Sequence, residues 1–236
     1  ASAAAACAVE TYGVEEGFWR ATELLETPEA THFTLMRGDE VVGRFETPLF
    51  GHHNIQNAVA AAAVAIGEGV AVDALAIGLQ SFRSVKKRHE LKGVAGGVTV
   101  LDDFAHHPTA VAATVSAVVR RFAGRRVWCC FEVESNTSRR RVFQDDYPPA
   151  FDGAHSVVFC KPFAKADNLA PEDRIQLDVV VEQIRQRGPE AHLIPEVDDI
   201  LTYLLAGLEP GDVVLAMSGR HFYGLHDKLL SALAAR

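Results

Sequence analysis

The chain has 236 residues, 48% hydrophobic and 23% charged, the proportions of a globular protein that can bury a core without disulfide staples. Its net charge of −8 opposes the phosphates of a nucleic acid, whereas a nucleotide site, which needs only a few local donors, stays open. No apolar stretch approaches the about 20 residues of a membrane-spanning helix, and Ala1–Ala6 lacks the basic start of a secretory signal.

The first fifty residues read as extended structure, with strands at Thr31–Arg37 and Glu40–Pro48 joined by a Gly38-Asp39 hairpin turn. Asn54–Gly67 carries Ala, Val and Ile on nearly every face, which predicts a helix buried all round. Val72–Phe82 has a clearer apolar stripe through Leu75, Ala76, Leu79 and Phe82. This opening piece shows no self-sufficient sheet and reads as the tail of a larger domain. From Gly97 the pattern becomes regular. Strands are predicted at Val98–Leu101, Arg126–Phe131, Ser156–Lys161, His192–Ile194 and Val213–Met217. Helices are predicted at Thr109–Phe122, Arg139–Phe151, Glu172–Arg187, Asp198–Leu205 and Leu225–Ala235. The alternation implies an α/β fold, a parallel sheet with crossover helices on both faces. The expected domains are residues 1–82 and 83–236. Cys7, Cys129, Cys130 and Cys160 form no Cys-x-x-Cys pair, so they read as reduced thiols of a cytoplasmic protein.

Ligands of such sheets bind at the carboxyl ends of the strands. Asp102-Asp103-Phe104-Ala105-His106-His107-Pro108 follows the first strand of the second domain. Its density of polar groups marks a candidate site, and adjacent histidines seldom converge on one metal ion. Glu132-Val133-Glu134-Ser135-Asn136-Thr137-Ser138 and three arginines, Arg139 to Arg141, follow the next strand. Arginines in a first helical turn oppose the helix dipole but suit a carboxylate or phosphate. Ser218-Gly219-Arg220-His221-Phe222-Tyr223-Gly224 follows the last strand and permits close backbone approach. Lys86-Lys87-Arg88-His89-Glu90 is a basic run near the boundary.

Four of these segments together resemble the Mur ligase family of cell-wall peptide ligases. They are Gly51-His52-His53-Asn54-Ile55-Gln56-Asn57-Ala58, Arg88-His89-Glu90, Asp102 to Thr109, and Ser135-Asn136-Thr137 with its arginines. The last is most similar to the branch that returns a salvaged tripeptide, L-alanyl-γ-D-glutamyl-meso-diaminopimelate, to UDP-N-acetylmuramate. The resemblance implies a piece of a central ATP-binding domain followed by a Rossmann-like carboxy-terminal domain. It also implies ATP and Mg2+, an acyl phosphate on the muramate carboxylate, and attack by an amine. Under it, Asn57 contacts adenine, Arg88 and Asp103 contact phosphate and ribose, and His106 and His107 line the same cleft. Ser135, Asn136, Thr137 and Arg139 hold the peptide. Catalytic residues and metal ligands are not expected here, and no Gly-x-x-x-x-Gly-Lys-(Ser/Thr) loop occurs, so the chain alone is expected to be inactive. Glu134 and Val133 replace the branch's usual arginine and proline, and His221 and Tyr223 replace small residues. The alternatives are a fragment of the related L-alanine-adding ligase or a non-catalytic binding module.

Overall fold

The computed structural model describes residues 7–136, 138–160 and 169–236, and the chain divides into two compact units after Arg83. The first unit holds strands β1 (Tyr12–Val14), β2 (Trp19–Glu26), β3 (Thr31–Arg37) and β4 (Glu40–Thr47) in one sheet of that order. β2, β3 and β4 are antiparallel, and β1 runs parallel to β2. The expected hairpin is present. Gly38 takes the left-handed conformation, φ 56°, which glycine adopts without steric cost.

One face of the sheet, through Trp19, Ala21, Phe33, Leu35 and Phe45, packs on helices α1 (His52–Gly67) and α2 (Val72–Ser81). The expectation of no self-sufficient sheet is therefore corrected. β2 escaped notice because a bulge between Thr22 and Leu25, with Glu23 at φ 53°, breaks the alternation that marks a strand. The prediction of a helix buried all round is corrected as well. Only Ile55, Ala58, Val59 and Ala62 of α1 are buried, and Val64 is 67% exposed. Alanine favours helix and tolerates water, so an alanine-rich run says little about burial.

The second unit is a six-stranded sheet formed by β5 (Glu90–Ala95), β6 (Val98–Asp103), β7 (Val127–Glu132), β8 (Ser156–Cys160), β9 (Glu190–Leu193) and β10 (Val213–Met217). Their order is β5-β6-β10-β7-β8-β9, parallel except for the edge strand β5. Successive residues face opposite sides. Trp128, Cys130, Val158, Val214 and Ala216 pack beneath α6 (Val197–Gly207) and α7 (Leu225–Ala234). Phe131 and Phe159 face the other side, in edge-on contact with Phe151, and Phe131 also tilts against Tyr147. There α3 (Pro108–Arg121), the one-turn α4 (Tyr147–Ala150) and α5 (Leu177–Arg187) pack in sequence.

The helix expected over 139–151 is instead a 3-10 turn, Arg141–Asp146, followed by α4. Pro148 and Pro149 lack N–H groups and crowd the preceding turn, so a continuous helix cannot pass them. Likewise α5 starts at Leu177, with only a 3-10 turn at Pro171–Asp173. β6 leads into α3 on one face and β10 into α7 on the other. Their carboxyl ends therefore border the crevice where such sheets take ligands.

Candidate functional site

The acid pair at the end of β6 is split by the strand's period of two. Asp103 faces α3, where Thr114 Oγ1 donates to Oδ1 at 3.3 Å. The N–H groups of Ala105 and His89 donate to Oδ1 and Oδ2, each at 2.8 Å. Asp103 thus ties the segment before β5 to the exit of β6. Asp102 faces α7, with Oδ1 3.4 Å from His226 Nε2 and Oδ2 3.8 Å from Lys87 Nζ. Lys87 (φ 58°) and His89 (φ 48°) are left-handed non-glycine residues, a conformation costly enough to need firm support.

His106 Nδ1–H donates to the Phe104 carbonyl, 2.9 Å away, and the ring meets Phe104 edge-on. His107 caps α3, its Nδ1 accepting from the Thr109 N–H at 3.3 Å. Arg88 is exposed, with its guanidinium 5.9 Å from the Phe104 ring. Arg88, Asp103, His106 and His107 therefore cluster around one strand exit. Asn57 belongs to the first unit, on the exposed side of α1.

At the end of β7, Ser135 Oγ accepts from the Ser138 N–H at 2.9 Å and closes a tight turn. Arg139 is buried, donates to Asn136 Oδ1 at 3.1 Å, and gives its carbonyl to the Ile175 N–H at 3.0 Å. No α-helix starts there, so the helix-dipole part of the expectation does not apply. Arg140 and Arg141 are the exposed members of the trio. Thr137 lies outside the described residues.

Sequence reasoning met the groups between these two exits only in separate segments and did not join them. Glu132, the last residue of β7, is buried and accepts a hydrogen bond from Ser218 Oγ, just past β10. Burial pushes its carboxyl above the ordinary range, Glu134 adds to this, and the Ser218 hydrogen bond, Lys87 and Arg220 oppose it. Lys87 Nζ also donates to the Ser218 carbonyl at 3.3 Å. Glu134 Oε1 lies 2.5 Å from Arg220 Nε. Tyr223 is raised above its ordinary range by burial first and by nearby Glu132, Cys160 and Glu134. Among the described residues, no group of three or more His, Cys, Asp and Glu side chains is arranged to hold a metal ion.

The family described as "Mur ligase, glutamate ligase domain" matches residues 87–220, and "Mur ligase middle domain" matches residues 1–65. The UDP-N-acetylmuramate–L-alanyl-γ-D-glutamyl-meso-2,6-diaminoheptandioate ligase of Escherichia coli is 36% identical over 94% of this chain and 46% of its own. The UDP-N-acetylmuramate–L-alanine ligase of Clostridium novyi is 28% identical over 96% of this chain and 48% of its own. The chain thus spans about half the length of these curated relatives. Among solved structures, a murein peptide ligase of Psychrobacter arcticus superposes with a TM-score of 0.62 at 28% identity, over 96% of this chain and 46% of its own. The alanine ligase of Thermotoga maritima has a TM-score of 0.79 at 15% identity, over 96% and 48%, a likeness of fold.

Proposed function

Since the chain belongs to the Mur ligase family, we propose that it serves an ATP-dependent, amide-forming ligase that joins a salvaged murein tripeptide to UDP-N-acetylmuramate. The observation carrying this reading is the 36% and 34% identity with two tripeptide ligases, against 27% to 31% with alanine ligases over similar spans. In such a reaction ATP activates the muramate carboxylate as an acyl phosphate, and the peptide amine displaces phosphate to form the amide. The roles of this chain are binding and orientation. Arg88, Asp103, His106 and His107, with Asn57 of the first unit, serve the nucleotide. Ser135, Asn136, Thr137 and Arg139 serve the peptide. Magnesium has no ligand set among the described residues.

The 236 residues contain no phosphate-cradling loop, and phosphoryl transfer depends on such clamping, so the chain alone neither hydrolyses ATP nor forms the amide. ATP turnover by the purified chain above a buffer blank would refute this. In an enzyme carrying this chain with the ATP-gripping loop, Arg139→Ala should weaken tripeptide binding about ten- to a hundredfold and leave ATP binding unchanged. Because Arg139 is buried, equal losses for both ligands would instead report a folding defect.

A further inference from the structure

Arg220 stands on the turn after β10, with its side chain 68% exposed. Its Nε is held by Glu134 at 2.5 Å, and its backbone N–H donates to Ser218 Oγ at 2.9 Å. The turn is pinned beyond Arg220 by Phe222, which is fully buried. Phe222 (φ 44°), Tyr223 (φ 49°) and Gly224 (φ 74°) follow in succession in the left-handed region. Two consecutive non-glycine residues there cost free energy that only firm anchoring sustains, and such strain gathers at ligand sites. The turn crosses close over Glu134, since a Cβ on Gly219 would stand 3.8 Å from Glu134 Oε2.

Glu134 is mostly shielded, its side chain 15% exposed, and one charged contact answers its carboxylate, whereas Arg220 reaches into solvent, where a screened pair adds little to folding. The contact does orient a fork. With Nε in ion-pair contact with Glu134, the two Nη atoms have no partner among the described residues. A guanidinium so presented matches a planar oxyanion with two parallel hydrogen bonds. The pair lies at the neighbouring carboxyl ends of β7 and β10, and Glu134 directly precedes Ser135.

We propose that Arg220 binds a carboxylate of the incoming peptide, and that Glu134 is its positioning residue rather than a group that repels the peptide. This rests on the functional reading above. It also reverses what Glu134 implies in sequence: a carboxylate facing an acidic ligand should weaken binding, whereas a carboxylate that aims an arginine should strengthen it. The guanidinium fork would accept a nucleotide phosphate as readily. The peptide is favoured because Glu134 leads directly into the turn that the resemblance assigns to peptide binding.

The test titrates an enzyme carrying this chain with the ATP-gripping loop against the tripeptide, the same peptide amidated at each carboxylate in turn, and ATP. The proteins are wild type, Arg220→Ala, Arg220→Lys and Glu134→Gln. Arg220→Ala should weaken tripeptide binding about ten- to a hundredfold, and Glu134→Gln about three- to tenfold, with ATP unchanged. Arg220→Lys should restore part of the loss. One of the amidated peptides should bind wild type and Arg220→Ala alike, a discrimination that a general packing defect does not produce. Tighter or unchanged tripeptide binding by Glu134→Gln overturns the proposal, as does a loss confined to ATP, or equal losses for every peptide. Failure of wild type to bind any of the peptides overturns the functional reading together with the proposal. Binding by wild type that no variant alters overturns the proposal alone.

Discussion

The two ends of the second unit's sheet are both rich in charge, and they use it differently. At the amino-terminal end, Asp212 receives Arg126 through two hydrogen bonds, at 2.8 and 2.7 Å. The Trp128 indole donates to it at 3.2 Å and the Glu209 N–H at 2.9 Å. Burial alone would raise this carboxyl. The Arg126 hydrogen bonds, the Glu209 N–H, the Arg126 charge and the Trp128 hydrogen bond together hold it below the ordinary range. At the carboxyl end, Glu132 and Tyr223 are displaced upward, non-glycine residues sit in the left-handed region, and the Arg220 fork lies open. Saturated charge fastens the sheet at one end. Charge that is strained or only partly satisfied gathers at the other end, where the proposed site lies. Asp103 qualifies the contrast, because it lies at the ligand end yet is as fully bonded as Asp212.

The comparison breaks most readily at Asp212. Replacing it by Ala leaves Arg126 Nε, the indole N–H and the Glu209 N–H without their acceptor, while Arg126 keeps the Gly207 carbonyl and Glu209, and should cost about 3 kcal/mol in urea unfolding. The pH dependence carries a sign. A folded pKa below the unfolded one contributes stability that is complete above the ordinary aspartate value and is lost as pH falls through the folded value. The gap between wild type and the variant should therefore be constant near neutrality and close only in acid. A loss below about 1 kcal/mol at pH 7 would mean that the network is ornamental.

Asp103 gives the next largest effect. In Asp103→Asn one carboxylate oxygen becomes an NH2 group, and both oxygens accept from backbone N–H groups. Either amide orientation sets donor against donor. A loss on the order of 2–3 kcal/mol is expected, with nucleotide binding falling as the turn loosens. Unchanged stability with impaired nucleotide binding would instead make Asp103 a ligand contact first and a tether second.

The smallest effect is at Glu132. Its raised pKa means that the folded state holds the proton more tightly than the unfolded chain. The cost of ionisation is absent below the ordinary glutamate range and complete above the folded value. Gln can still accept the Ser218 hydrogen bond. Glu132→Gln should thus stabilise the chain at neutral pH by a few tenths of a kcal/mol after solvent screening, with no gain in acid. A destabilisation at neutral pH would place Glu132 among the saturated groups.

The parallel sheet was legible because buried parallel strands are continuous apolar runs. Val213–Met217 shows this, reading as a strand with the bounds it has in the structure. The family was legible as well, since its four motifs keep their order, and the tripeptide-ligase relative bears out that resemblance. What misled was local composition without context. Alanines in α1 suggested burial that they do not need, and arginines after β7 suggested a helix that Pro148 and Pro149 forbid.

By itself, then, the sequence determined the kind of sheet, the strand ends that carry polar groups, and the lineage of the motifs. These follow from local periodicity and from residues adjacent in the chain. Only the tertiary structure decided how those polar groups divide the work. Asp102 and Asp103 turn to opposite faces, toward His226 and Thr114, because the strand alternates. Glu134 meets Arg220 because β10 lies beside β7, an adjacency between residues 86 positions apart that no local pattern encodes.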